Sequence, residues 1–164
     1  MSTELADSLR SGLRRLAKAV VVITTRHEGI RYAMAATAVS ELSMDPPSLL
    51  ICVNKSASLD APLSAGAGFC VNILHAGQGD ISARCTAPHR GEERFALGEW
   101  ATSALGIPYL KSAQASFLCE AARSVQFGTH GVFIGIVREV HVSGAVDPLV
   151  YVDGRYAALS SASH

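Results

Sequence analysis

The chain has 164 residues, a length that fits one domain and buries a core without help from a metal or a disulfide. Its 14 Lys and Arg balance its 14 Asp and Glu, which argues against a nucleic-acid partner and against a disordered acidic tail. Only 17% of residues are charged while 49% are hydrophobic, so part of the apolar surface is expected to meet a second copy of the chain.

In chain order, residues 4–18 place Leu5, Leu9, Leu13 and Leu16 at helical spacing, with Arg10, Arg14 and Arg15 off that stripe. This predicts an amphipathic helix laid over a core. Residues 19–26 are β-branched and short, and His27-Glu28-Gly29 reads as a hairpin turn into a return strand over 30–39. That strand is rich in Ala and Thr, which lets a partner or ligand come close to the backbone. Asp45-Pro46-Pro47 reads as a stop.

Residues 48–54 predict a buried strand, and 55–68 a short helix capped by Ser58 or Asp60 and ending near Gly66. Residues 69–74 predict another strand and 78–85 a helix. The segment 86–113, punctuated by Pro and Gly, reads as an irregular excursion of the kind that carries function. Strands follow at 115–127 and 130–142, the latter with Val132, Ile134, Ile136, Val140 and Val142 as one facing set. A hairpin over 149–159 turns at Asp153-Gly154. Six or seven strands without a βαβ rhythm argue for an antiparallel barrel. The whole of 1–164 reads as a single domain, with its core at about 10–159 and a frayed tail at 160–164.

The four cysteines, at 52, 70, 85 and 119, form no CxxC pair, so zinc or redox chemistry is not expected; Cys52 and Cys70 read as small buried hydrophobes. No signal peptide and no apolar stretch of about 20 residues is visible, which predicts a cytoplasmic protein with no membrane span. The chain carries no GxGxxG, P-loop, HExxH or GxSxG motif. Chemistry is therefore expected to come from a cofactor.

Four segments fit such a cofactor. Ala35 to Ser40 offers approachable backbone N–H groups with the Thr37 and Ser40 hydroxyls. Asn54-Lys55-Ser56-Ala57-Ser58 brings a cation and hydroxyls to a helix start, an anion site. His130, in Gly128-Thr129-His130-Gly131, is a hydrogen-bond donor that titrates near neutral pH. Arg94 and Phe95, with Trp100 nearby, suit a stacked ring or a phosphate.

The order AVVVITT, AATAVS, a double Pro with SLLICVN, KSAS, FCVNIL, EERF, a Trp, GTH and PLVYVDGRYAAL resembles the short-chain flavin reductases. These are the reductase components of two-component flavin monooxygenases, and the 4-hydroxyphenylacetate and pyrimidine-degradation types are the most similar. The resemblance covers about residues 10–159 and implies a mainly β fold, a Greek-key split β-barrel with an N-terminal helix, forming a homodimer. It implies NAD(P)H-dependent reduction of FMN or FAD, with NADH the expected donor and NADPH possible by chemistry, and delivery of reduced flavin to a separate monooxygenase. The same barrel also hosts pyridoxamine-phosphate oxidases and non-catalytic flavin-binding proteins, which are the alternative readings.

By the same resemblance Ala36, Thr37, Ala38 and Ser40 line the isoalloxazine and ribityl chain, and Asn54, Lys55, Ser56 and Ser58 hold the phosphate. Arg94 and Phe95 reach back over the flavin. His130 stands at the nicotinamide side as the catalytic position, and Tyr151, Asp153, Gly154 and Tyr156 complete the nicotinamide pocket. Three residues depart from the pattern: Ala35 where Thr is common, Glu41 for Ser, and Lys55 for Arg. Lys lacks the bidentate fork, which predicts weaker phosphate binding, and Glu41 is expected to point away from a phosphate.

Overall fold

The computed structural model describes residues 2–160; positions 161–164 of the predicted tail lie outside the described residues. Helix α1 (Thr3–Leu13) is capped by Ser2, whose side chain accepts from the Leu5 N–H. It ends five residues before the expected position because Lys18–Ala19 is already strand β1, paired with β11 (Val150–Val152). The predicted packing of its stripe is not found. Leu5, Leu9, Leu13 and Leu16 are 47–59% exposed, and α1 buries no residue.

The main sheet has seven strands: β2 (Val21–His27), β3 (Ile30–Ala36), β4 (Val39–Met44), β5 (Pro47–Asn54), β6 (Phe69–Ile73), β9 (Ala115–Phe127) and β10 (His130–Val142). Their hydrogen-bonded order is β3-β2-β6-β9-β10-β5-β4, and every pairing is antiparallel. β3 and β4 thus stand at opposite ends of the order, yet only Thr37 and Ala38 separate them in sequence. A link that short forces the sheet to roll until its two ends meet, which makes a barrel. Side chains alternate across the barrel wall. Val21, Ile23, Ile51, Phe69, Val71 and Phe133 fill the interior, while Val20, Val22, Leu74, Ile81, Phe95 and Leu110 form a second core outside it. β2 is buried on both faces, which explains its unbroken β-branched run.

Several expectations need correction. The return strand stops at Ala36, and β4 is a strand where none was predicted. Asp45-Pro46-Pro47 is the β4–β5 turn, since Met44 pairs with Pro47. The Val132, Ile134, Ile136 set shares a face, but the buried positions of β10 are Gly131, Phe133 and Gly135. Two of these three are glycines, invisible to a hydrophobic pattern. Glycine is needed at 135, where an added Cβ would lie 2.6 Å from the Cys119 Cβ and 2.7 Å from the Phe69 ring. Cys52 is half-buried rather than buried, whereas Cys70 is fully enclosed.

The excursion 86–113 is ordered. It follows α3 (Gly79–Arg84) with a 3-10 helix at Gly91–Phe95 and a hairpin, β7 (Trp100–Thr102) and β8 (Pro108–Leu110). Fully buried Asn72 anchors it. The Asn72 amide donates to the Val22 carbonyl (2.9 Å) and to Thr24 Oγ1 (3.2 Å). Its Oδ1 accepts from the Leu110 N–H (2.8 Å) and from Ser116 Oγ (3.0 Å). Thr24 Oγ1 in turn donates to the Pro108 carbonyl (2.5 Å). Helix α2 (Asp60–Ser64) is capped by neither Ser58 nor the Asp60 side chain; its N-cap is Leu59.

Candidate functional site

A cavity of about 500 Å³ opens where three segments meet: β3, the loop after β5, and the start of the excursion. β3 contributes Met34 and Ala35, the loop Ser56 and Ser58, and the excursion Thr86, Arg90, Gly91 and Arg94. The lining holds two guanidinium groups and no carboxylate. It is a site for an anion, and arginine suits phosphate because of its planar fork of donors.

Each wall is fixed locally. Asn54 Oδ1 accepts from both the N–H and the Oγ of Ser56 (2.9 Å each), a turn that presents the loop. Lys55 Nζ donates to the Gly128 carbonyl (2.8 Å) and its N–H to the Thr129 carbonyl (3.0 Å), tying that loop to the β9–β10 turn. Arg94 donates through Nε to the His89 carbonyl (2.8 Å) and through Nη1 to the Ala33 carbonyl (2.7 Å).

The 3-10 helix is clamped to β3 by Arg31. Its Nε and Nη2 donate to the two carboxylate oxygens of Glu92 (3.0 and 2.5 Å), and its guanidinium lies 4.1 Å from the Phe95 ring centroid. That bidentate bond holds the Glu92 carboxyl below its usual range and raises Arg31. Cys85 also lines the cavity. Burial pushes its thiol up to about 11, so it stands there as a neutral group at physiological pH.

A second hollow of about 330 Å³ continues the first, sharing Ala35 and Thr86 with it. Val20, Ala36, Thr37, Ser82, Tyr151 and Tyr156 complete its lining. The two tyrosine rings meet edge to face at 5.9 Å, and the Tyr156 hydroxyl bonds to Ser82 Oγ (2.9 Å). The result is one groove with a cationic, hydroxyl-rich end and an end of small and aromatic residues.

The fold therefore brings together Ser56, Ser58 and Arg94 at one end and Ala36, Thr37, Tyr151 and Tyr156 at the other. Other expected residues stand elsewhere. The Ala38 carbonyl accepts from the Cys52 N–H (3.0 Å) at the barrel corner. Ser40 and Glu41 line an apolar hollow that meets the groove only at Thr37, which takes Glu41 away from the cationic end. Asn54 and Lys55 support the loop from behind. Phe95 is buried in the outer core, edge-on to Trp100 at 5.0 Å.

His130 lies at the β9–β10 turn, opposite Asn54 in register, with Nδ1 2.9 Å from Thr129 Oγ1; it lines neither hollow of the groove. Asp153 and Gly154 form the turn between β11 and β12 (Arg155–Ala157), where Asp153 pairs with Arg14 (2.9 Å). Sequence reasoning missed Thr86, Arg90 and Ser82. The spacing of Arg90 and Arg94, one helical turn apart, was the available signal, hidden because the segment read as irregular.

The chain matches the model of the flavin reductase like domain over residues 13–160. It is 40% identical over 155 residues to the FMN reductase (NADH) RutF of Pseudomonas syringae pv. syringae, covering 94% of this chain and 86% of that one. It is 37% identical over 160 residues to the reductase component of the FADH(2)-dependent resorcinol hydroxylase of a Rhizobium species, covering 96% and 89%. Among solved structures, a homolog of nitrilotriacetate monooxygenase component B from Mycobacterium thermoresistibile superposes with a TM-score of 0.87. The two are 32% identical, with coverage of 96% and 89%.

Proposed function

This chain belongs to the flavin reductase like domain family, and from that membership we infer that it oxidises NADH and reduces FMN or FAD for use by a separate monooxygenase component. The observation that carries the reading onto this chain is the continuous groove, with Arg90, Arg94, Ser56 and Ser58 at one end and Ala36, Thr37, Tyr151 and Tyr156 at the other.

The donor set fits a flavin nucleotide. Two guanidinium groups and three hydroxyls, those of Ser56, Ser58 and Thr86, match the charge and acceptor oxygens of its phosphate. Ala35 and Ala36, with no bulk beyond Cβ, leave β3 approachable by a flat ring. Lys55 Nζ is bonded to the Gly128 carbonyl, and the cations that line the cavity are Arg90 and Arg94, the latter with Nε and Nη1 already donating to the His89 and Ala33 carbonyls.

The flavin, when bound, supplies the two-electron acceptor. The chain's task is to hold the two ring systems together and exclude water, which is worth far more here than an acid–base group. Tyr151 and Tyr156 form the wall against which the second ring is held. His130 remains the proposed catalytic position, on a turn that Lys55 ties to the cationic loop and outside both hollows.

The test is NADH and NADPH oxidation by purified protein with FMN, FAD and riboflavin. Oxidation is expected with NADH and to depend on added flavin. A folded protein that oxidises neither nucleotide with any flavin overturns the reading.

The chain is a homodimer in this reading. Its support is exposed Leu5 and Leu9 of α1 together with the apolar hollow of about 610 Å³ lined by Val39, Leu49, Phe117 and Val137. Light scattering is expected to give twice the monomer mass for the wild type and the monomer mass for Leu5→Glu/Leu9→Glu. A double variant that stays dimeric removes α1 from the interface. The four free thiols suit a reducing cytoplasm, and no helix among the described residues is long and apolar enough to cross a membrane.

A further inference from the structure

The small sheet β1-β11-β12 (β12, Arg155–Ala157) aligns three side chains. Lys18 pairs with Tyr151, and Tyr151 pairs with Tyr156. Directly paired residues point to the same face of a sheet, with Cβ atoms about 5 Å apart. The row therefore runs cation, ring, ring. Tyr151 and Tyr156 line the aromatic end of the groove, and Lys18 stands one strand beyond it.

There the molecule has another hollow, of about 350 Å³, lined by the cations Arg10, Arg14 and Lys18, by Leu13 and Leu16, and by the Asp153 carboxylate. It joins the groove at Thr37 and Tyr151, which line both. Its cations differ in what they are doing. Arg14 is spent on Asp153 (2.9 Å), and Arg10 donates to Asp7 (2.7 Å). Lys18 is half-buried and has no side-chain hydrogen bond or ion pair with any described residue. Its ammonium is therefore free to meet an anion that enters the hollow.

We propose that Lys18, flanked by Arg10, is the anion subsite for the pyrophosphate of an adenine dinucleotide lying along the Tyr156–Tyr151–Lys18 row. This rests on the reductase reading and extends it from the flavin to the far half of a dinucleotide. The two cationic ends of the groove then divide the work: Arg90 and Arg94 hold the flavin phosphate, and Lys18 holds the second set of phosphates. Leu13 and Leu16 give the adenosine an apolar floor. The pyrophosphate is that of the hydride donor, because the pyrophosphate of FAD includes the flavin phosphate and stays at the Arg90 and Arg94 end.

The probe is ADP-ribose, titrated by calorimetry into flavin-free protein. Wild type is expected to bind it with an affinity that falls as salt rises, because one exposed phosphate contact is screened. Lys18→Gln is expected to weaken binding about ten-fold, one charge-assisted contact. Lys18→Arg is expected to restore it, and the FMN affinity read by fluorescence quenching stays at the wild-type value.

A further arm checks the donor. A raised KM for NADH with FMN as acceptor places the donor's pyrophosphate on Lys18. A raised Kd for FAD, with the NADH KM unmoved, overturns that assignment. ADP-ribose that fails to bind wild type, or binds Lys18→Gln and wild type equally, overturns the proposal. If Lys18→Gln does not fold, Lys18→Met, which keeps the stem, replaces it, and the wild-type titration still decides. Calorimetry reads this site without turnover, so failure of the reductase reading, seen as no NADH oxidation, remains distinct from failure at Lys18.

Discussion

Arg94→Ala is expected to raise the Kd for FMN by about 10- to 150-fold. Removing one guanidinium from a phosphate costs about 1.5–3 kcal/mol, because the hydrogen bonds are charge-assisted. Riboflavin, which has no phosphate, is the control: its KM as acceptor should move by less than a factor of about three. The contrast matters because Arg94 also ties the 3-10 helix to the Ala33 and His89 carbonyls. If the riboflavin and FMN constants rise together, Arg94 acts by shaping the cavity and does not touch phosphate. Arg94→Lys keeps the charge without the fork and is expected to fall between the two. Fluorescence quenching supplies the Kd values and steady-state rates the KM values.

Asn72→Ala is expected to cost about 3–5 kcal/mol and to lower the Tm by roughly 10 °C. Its amide is fully buried and serves two donors' worth of acceptors on β2, while its Oδ1 receives Leu110 and Ser116. Truncation leaves the Leu110 N–H and the Val22 carbonyl without that partner in a dry core. The same variant should weaken FMN binding modestly, since the excursion that carries Arg90 and Arg94 is fastened to the barrel through Leu110 and Pro108. Thermal denaturation followed by circular dichroism provides the check. A Tm fall of less than about 3 °C would mean that water replaces the amide.

Much of the fold is legible in the sequence because the periods are strong where burial is one-sided or complete. β2, β5 and β6 read as short apolar strands, and the turn at Asp153-Gly154 announces itself through residues that tolerate positive φ, here 52° and 74°. Reading fails where the physics is not written in hydrophobicity. β10 buries Gly131 and Gly135 because larger side chains do not fit, so Phe133 alone gives its buried face an apolar bulk while Val132, Ile134 and Ile136 mark the other face. β4 carries Ser40, Glu41 and Ser43 and is largely exposed, so it presents no apolar alternation. The leucine stripe of α1 has the right period for a core, but its partner is not in the same chain's barrel.

The site divides in the same way. Ser56, Ser58 and Arg94 are recognisable as anion ligands from residue type and resemblance. Arg90 and Thr86 are not, because only the folded excursion turns them toward β3. Residues that resemblance assigns to the ligand but the fold spends elsewhere, such as Phe95 in the outer core and Asp153 on Arg14, differ from true lining residues by long-range packing that no local pattern records.

The two-residue corner at Thr37–Ala38 joins strands that are neighbours in the chain and opposite ends of the sheet. Neither strand can reach its final place until the intervening pairings have formed, and three of these, β2–β6, β6–β9 and β5–β10, join segments distant in sequence. The groove that runs past Thr37 is therefore among the last parts of the molecule to exist during self-assembly. A nucleotide that binds there finds only chains that have completed that assembly, and by mass action it draws the population toward them.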